Sequence, residues 1–326
     1  MTRKLRANKL TNQLQSILLV LCMGLFMVAI GWLLLGRVGI FLALAISVYN
    51  LVFGPTISPR AILRAYHAQP LTPYEAPQLL ELFSALVERA DLSHPVQLWY
   101  VPSQVPNAFA VGSGHNASVA VTDGLLRLMN ERELAGVLAH EIAHVKHKDT
   151  TVMGIADTMG RIASGIARLG LLVLFLGLPT LLSGASFAST FLAGCLMLVT
   201  PFVVFLLQMA LSRSREFNAD LGAVSLTQDP MGLAAALKKL EQLQQGGWLG
   251  RVFKNKGFNI EPSWIRSHPA TKERVRELEE VAASIVEESS DGSKTQLARK
   301  AEPVPIDFHE PVETPPRYHP RRGVWY

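Results

Sequence analysis

Two histidines, His140 and His144, stand four residues apart and flank the carboxylate of Glu141. On a helix, residues at i and i+4 share a face, so both imidazoles can meet one cation at roughly 2.0–2.1 Å, the Zn–N distance. That is half of a tetrahedral site, and the third ligand must come from elsewhere. The run 213–220, Arg-Ser-Arg-Glu-Phe-Asn-Ala-Asp, offers Glu216 with Asp220 one helical turn later. Glu216 can then bind the ion, while Asp220 accepts a hydrogen bond from the outer nitrogen of a ligand histidine and fixes its tautomer. His147 competes for the third place. It shares a face with His140, yet on a straight helix it sits about 10.5 Å further along the axis, so three imidazoles do not readily converge on one ion. The competing reading is a coincidence of two histidines on a charged helix, with Glu216 and Asp220 on an ordinary solvated face.

The element that must carry the histidines is legible around them. Asn130 followed three residues later by Glu133 is a capping-box pattern, and no proline occurs between Glu131 and Lys148, which predicts a helix over 131–148. At 100° per residue, Leu134, Val137, Leu138, Ile142 and Val145 form one apolar arc, and Glu141 falls inside it. A carboxylate on the core side needs a partner, because an unpaired buried charge is expensive. Proton exchange with a reacting water beside a metal gives it one.

The rest of the chain anchors this helix. With 49% hydrophobic and 17% charged residues in 326, the composition is too apolar for an ordinary soluble enzyme. The basic excess of +5 gathers beside apolar runs as membrane-flanking charge, and nothing resembles a nucleic-acid motif. Cys22 and Cys195 both lie in apolar runs, which supports neither a disulfide framework nor a cysteine-based zinc site. After Arg3, Lys4, Arg6 and Lys9, residues 17–35 carry no charge. The run is too long for a signal-peptide core and lacks a small-residue cleavage site, so it reads as a retained transmembrane helix. Gly36 to Gly39 marks a turn, and 40–53 returns as a second helix. Residues 169–212 are again uncharged and long enough for two more, with a small-residue turn over 183–189. Arginines 60, 64, 161, 168, 213 and 215 flank these spans and put both termini and the segment 60–161 in the cytoplasm.

Between the apolar hairpins the pattern becomes that of a soluble domain. Residues 77–90 have helical periodicity, 95–101 have strand composition, and 107–111 with 117–122 form a hairpin about the turn 112–114. The sheet either supports the zinc helix or offers an edge to which a peptide substrate can add as a strand. Asp229 and Pro230 start another helix, to residue 245. Aromatic residues 248, 253, 258 and 264 lie in a loop, a charged helix covers 271–280, and 282–326 has the composition of a disordered tail.

H-E-I-A-H and R-E-F-N-A-D, with Asn107-Ala108-Phe109 upstream and Ser267-His268-Pro269 downstream, resemble the HtpX-type zinc membrane endopeptidases, relatives of the CAAX prenyl proteases. The resemblance runs to about residue 280. A metzincin is excluded, since it would need glycine at His147 and histidine at Thr150. The resemblance implies one Zn2+ per chain held by His140, His144 and Glu216, with Glu141 as general base. It also implies that Asn107 lies next to the substrate and that His268 stabilises the oxyanion. It places the active site at the cytoplasmic face of the inner membrane, with misfolded or damaged membrane proteins, or unfolded polypeptides, as substrates in a quality-control role.

The expected fold is α+β: a mainly helical, membrane-anchored zinc metalloprotease with a small β-sheet and four predicted transmembrane helices. Its parts are a transmembrane hairpin (1–55), a catalytic segment with the zinc helix (56–160), an inserted second hairpin (161–211), a second catalytic segment (212–281) and the tail (282–326). A CAAX-type processing protease would need more spans. A zinc transporter or metal-regulated membrane scaffold would need polar ligands inside the spans, which hold almost none.

Overall fold

The computed structural model describes residues 3–53, 58–182, 187–245, 271–290, 318–319 and 324–325. The described chain is mainly helical with a small sheet, and it divides into two compact units.

The first unit takes in Ser58–His147 and Ala219–Tyr326. Its sheet is built from β1 (Gln69–Pro70), β2 (Gln97–Val101), β3 (Ala108–Val111) and β4 (Ser118–Thr122), in the order β1-β2-β4-β3. The expected hairpin is present: β3 and β4 are antiparallel, with Ala108 opposite Val121. β4 also runs parallel to β2, Gln97 beside Ser118, and β1 adds antiparallel to β2. β3 therefore forms one edge of the sheet.

Strand alternation sorts the side chains into two cores. Leu98, Ala108, Val119 and Val121 face one side, where they pack with α3 (Pro77–Ala90), α5 (Glu131–Lys146), α8 (Pro230–Gln245) and α9 (Thr271–Ser290). Val101, Phe109, Val111 and Ala120 face the other and meet Leu63 of the short helix α2 (Pro59–Ala65). Between β4 and α5 lies α4 (Asp123–Leu128), whose Thr122 N-cap accepts a hydrogen bond from the Leu125 amide. The helix expected over 271–280 runs on to Ser290, because Leu278 and Val281 continue its buried stripe. The helix thus takes in residues 282–290, which composition assigns to the tail; farther on, β5 (Tyr318–His319) pairs with β6 (Val324–Trp325). The aromatic loop 246–264 lies outside the described residues.

The start of α8 gives the first unit a measurable acid sensitivity. Asp229 accepts hydrogen bonds from the Gly232 amide at the helix start and from Arg132 of α5. The Arg132 hydrogen bond, the capping amides and the guanidinium charge together outweigh burial and hold the Asp229 carboxyl below its ordinary value. A folded-state pKa below the unfolded one means the contribution is complete above the unfolded value, about 3.9, and is lost as pH falls through the folded value. Arg132 is largely exposed, which limits the pair to about 1 kcal/mol or less. Asp229→Asn is expected to flatten the fall of the thermal midpoint below about pH 4. Scans of both purified proteins from pH 3 to 7 check this, and parallel curves would refute it.

The second unit takes in Ala7–Ile57 and Lys148–Asn218. α1 (Arg3–Phe53) turns at Gly36, where φ is +57° and ψ −137°. A Cβ on Gly31 would lie 2.6 Å from the carbonyl oxygen of Gly39. Eight residues of straight helix span about 12 Å, so this contact exists only because the two arms fold back on each other, as the first hairpin requires. α6 (Asp149–Leu182) starts well before residue 169, and α7 (Phe187–Thr227) carries Pro201 inside it. Of the expected turn over 183–189, residues 183–186 lie outside the described residues.

Within this unit, Met23 and Met27 pack with Ala156, Met159, Ala163, Val204 and Leu211. Its polar ties include the hydroxyls of Ser16 and Ser214, 3.0 Å apart, Gln208 donating to the Ala156 carbonyl, and Arg215 donating to Asp149 at 2.9 Å. Leu18, Leu25, Phe41, Phe175 and Phe202 point outward and are exposed. Such a belt is unfavourable in water and ordinary in a bilayer. Three described helices are long and apolar enough to cross a membrane, within Thr11–Ile46, Asp149–Gly177 and Phe191–Thr227. The expectation of four crossings depends on both arms of α1 spanning.

Candidate metal centre

α5 is fixed at its start by the expected capping box. The Glu133 amide donates to Asn130 Oδ1 at 2.9 Å, and the Asn130 amide donates to Glu133 Oε2 at 3.0 Å. Lys239 of α8 also donates to Glu133, at 2.6 Å. The helix ends at Lys146, earlier than residue 148, because Lys148 takes a left-handed φ of +55°. Glycines bring neighbours close to it. A Cβ on Gly222 of α7 would lie 2.6 Å from the Ala143 Cβ, so only glycine lets α7 approach the turn between the two histidines.

His140 is fully buried, and its Nδ1 lies 2.9 Å from Asp220 Oδ1. Asp220 is in turn gripped by Arg274 of α9, with Nε donating to Oδ2 at 2.7 Å and Nη2 to Oδ1 at 2.6 Å. Arg274 is 1% exposed, so imidazole, carboxylate and guanidinium form a closed buried chain. A bidentate guanidinium fixes the carboxylate plane, and the carboxylate fixes the ring. With Nδ1 committed to Asp220, Nε2 is the nitrogen of His140 left for a metal. It lies 3.0 Å from His144 Nε2, with the two rings edge to face at 89°. Two nitrogens on a tetrahedral ion at 2.0–2.1 Å would be about 3.3–3.4 Å apart, so the pair needs only a small opening to fit one.

Asp220 lies on α7, and Glu216 precedes it by one turn of the same unbroken helix. Glu216 is buried, and its carboxylate completes the ligand group: one ligand atom from each of His140, His144 and Glu216, all within 4.8 Å of one another. His147, the C-cap of α5, does not belong to that group. Two imidazoles, one carboxylate and an open fourth position make the donor set of a catalytic rather than a structural metal site. Glu141 is 3% exposed, on the turn between the two histidines.

Asn107 enters β3 and is also buried. Its amide donates to Thr122 Oγ1 at 2.8 Å and its carbonyl accepts from the Thr122 amide at 3.0 Å. Its side-chain Oδ1 has no hydrogen-bond partner among the described residues, which leaves it an acceptor to offer. His268 lies outside the described residues.

Arg274 is the residue of this cluster that the sequence motifs leave out. Its signal was present: it stands four and seven residues before Leu278 and Val281, a cation on the apolar stripe of its helix. Arg274→Ala would take the guanidinium counter-charge from buried Asp220, a loss of up to about 3–5 kcal/mol, and would free the carboxylate, and with it the His140 ring, to tilt. It is expected to weaken metal binding by roughly 10- to 100-fold, and Arg274→Lys by less. Titration of metal-stripped protein with Zn2+ measures this, and wild-type affinity in the alanine variant would reduce Arg274 to packing.

Comparison with known proteins covers most of the chain. The model of peptidase family M48 matches residues 73–282. A protease HtpX homolog from Sulfurihydrogenibium sp. is 36% identical over 292 residues, spanning 85% of this chain and 98% of its own. Another, from Methylibium petroleiphilum, is 36% identical over 276 residues, 81% of this chain and 95% of that one. Among solved structures, S. mikatae Ste24p aligns with a TM-score of 0.43 and 19% identity, over 85% of this chain and 66% of its own.

Proposed function

The chain belongs to peptidase family M48, and from that premise we propose that it is a zinc endopeptidase that cuts misfolded or damaged membrane proteins at the cytoplasmic face of the inner membrane. That it is a metalloprotease with apolar, membrane-type helices follows from the family and the fold. Zinc, the substrate class and the orientation are the proposal. The observation that carries the metal assignment is the fixed His140 ring, whose clamp by Asp220 and Arg274 leaves Nε2 beside that of His144.

In this reading His140, His144 and Glu216 hold the ion. Bound zinc supplies Lewis acidity, which polarises a peptide carbonyl and favours deprotonation of water near neutral pH. Glu141 accepts the proton from the attacking water and returns it to the leaving amine, the bond that breaks being C–N and the bond that forms C–O. Asn107 Oδ1 offers an acceptor to a substrate amide. The β3 edge offers main-chain pairing, a recognition mode tolerant of side-chain identity and so suited to damaged substrates. A transporter is disfavoured because the ligands lie outside the uncharged stretch 169–212, His140 and His144 on α5 and Glu216 just after Arg213 and Arg215 of α7.

The test is a cleavage assay on detergent-purified protein, with an unfolded polypeptide, before and after chelation. Activity is expected to vanish with the chelator and return with stoichiometric Zn2+; metal flux into liposomes without proteolysis would support transport instead. In cells, on a Cys22→Ala, Cys195→Ala background, an impermeant thiol reagent is expected to label Arg37→Cys and spare Ser93→Cys. The reverse pattern would overturn the orientation.

A further inference from the structure

We propose that the groove between α2 and the β1–β2 edge binds the headgroup of an anionic phospholipid. The inference rests on the membrane-anchored reading but not on the protease chemistry. The groove has a volume of about 430 Å³ and is lined by Arg60, Leu63, Arg64, Pro70, Gln97 and Trp99.

Three observations point to that ligand. First, Arg60 and Arg64 are one turn apart on α2, so their guanidinium groups share a face and repel each other, and neither has a partner among the described residues. An anion between them relieves the repulsion, and a phosphodiester matches the guanidinium fork. Second, the wall beside the arginines is apolar, supplied by Leu63, Pro70 and the Trp99 ring. Trp99 Nε1 is buried without an acceptor among the described residues, a donor for an ester or phosphate oxygen. An apolar wall next to paired cations suits an amphiphile better than free phosphate. Third, only residues 54–58 separate the end of the apolar helix α1 at Phe53 from Pro59, a reach of roughly 20 Å at full extension. A groove tethered so closely to a membrane arm meets lipid before any soluble anion, and cytoplasmic leaflets attract juxtamembrane arginines.

The groove is coupled to the catalytic sheet by packing. Leu63 of α2 sits in one core with Phe109 of β3, and the adjacent residue of that strand, Ala108, faces the core of α5. A seated headgroup would therefore hold the β3 edge at a fixed distance from the membrane surface.

The test titrates detergent-purified full-length protein with short-chain phosphatidylglycerol brominated in its acyl chains, reading tryptophan quenching. Saturable quenching is expected, with a component that disappears in Trp99→Phe. Arg60→Ala/Arg64→Ala is expected to raise the half-saturation concentration at least tenfold, and Arg60→Lys/Arg64→Lys to raise it less. The double alanine variant is expected to cleave a soluble unfolded polypeptide at the wild-type rate, which shows that it is folded. Measuring the same titration on Glu141→Gln separates lipid binding from proteolysis, so either reading can fail alone. Equal quenching by brominated phosphatidylcholine, an unchanged double alanine variant, or full competition by inorganic phosphate or an acidic peptide would each overturn the proposal.

Discussion

Glu141→Gln is expected to leave metal content at the wild-type level and to lower peptide hydrolysis by at least 10²- to 10⁴-fold, the range assigned to general acid–base catalysis. Glutamine keeps the shape of the side chain and its place between His140 and His144, so the ligands stay where they are. What it lacks is a basic oxygen. The loss should fall on kcat more than on KM, because proton acceptance matters in the transition state and not in substrate binding. The buried setting of Glu141, 3% exposed, sharpens the comparison, since a neutral amide there costs less desolvation than a carboxylate and the variant should be no less stable. Metal content by elemental analysis and turnover on one preparation decide the matter. Wild-type turnover would remove Glu141 from the mechanism, whereas loss of metal would make its role structural.

The catalytic helix was legible because several independent signals agree at one place. The Asn130–Glu133 capping box sets its start, the arc from Leu134 to Val145 sets its buried face, and the histidine spacing sets its chemistry. The same holds for the hairpin at Gly36, where a glycine-flanked break in an apolar run leaves few alternatives. Asp220 was also readable as the group behind a histidine, because i, i+4 spacing from Glu216 constrains both side chains to one face.

Long-range pairing is where the sequence runs out. The parallel register of β2 with β4 depends on a crossover through β3, and no local pattern encodes it. β1 is two residues long, too short to carry an alternation. Arg274 required an argument made for Glu141 but not repeated for α9: a charge on an apolar stripe implies a buried counter-charge. Helix length also escaped local reading. α6 begins at Asp149 because its polar first turns are continuous in propensity with the apolar ones, and composition marks where a span begins but not where a helix does.

Glu216→Ala is expected to strip the metal and with it the activity, and the comparison with His147→Ala makes the result specific. Removing one of three protein ligands leaves two imidazoles on one helix, too few to hold a catalytic ion against dilution or chelator. His147 sits at the C-cap of α5, outside the ligand group, so His147→Ala should retain stoichiometric metal. Asp220→Ala falls between the two. The His140 ring loses its orienting carboxylate and buried Arg274 loses this counter-charge, so metal affinity should drop by roughly 10- to 100-fold, with a stability loss of up to about 3–5 kcal/mol. Asp220→Ala/Arg274→Met removes both charges together and should recover much of the stability while leaving metal affinity low, which separates ring orientation from burial cost. The four proteins, purified alike and assayed for bound zinc and thermal midpoint, order themselves if the assignment holds: His147→Ala as wild type, both Asp220 variants weakened, Glu216→Ala empty. A zinc-free His147→Ala beside a zinc-loaded Glu216→Ala would exchange the two residues' roles.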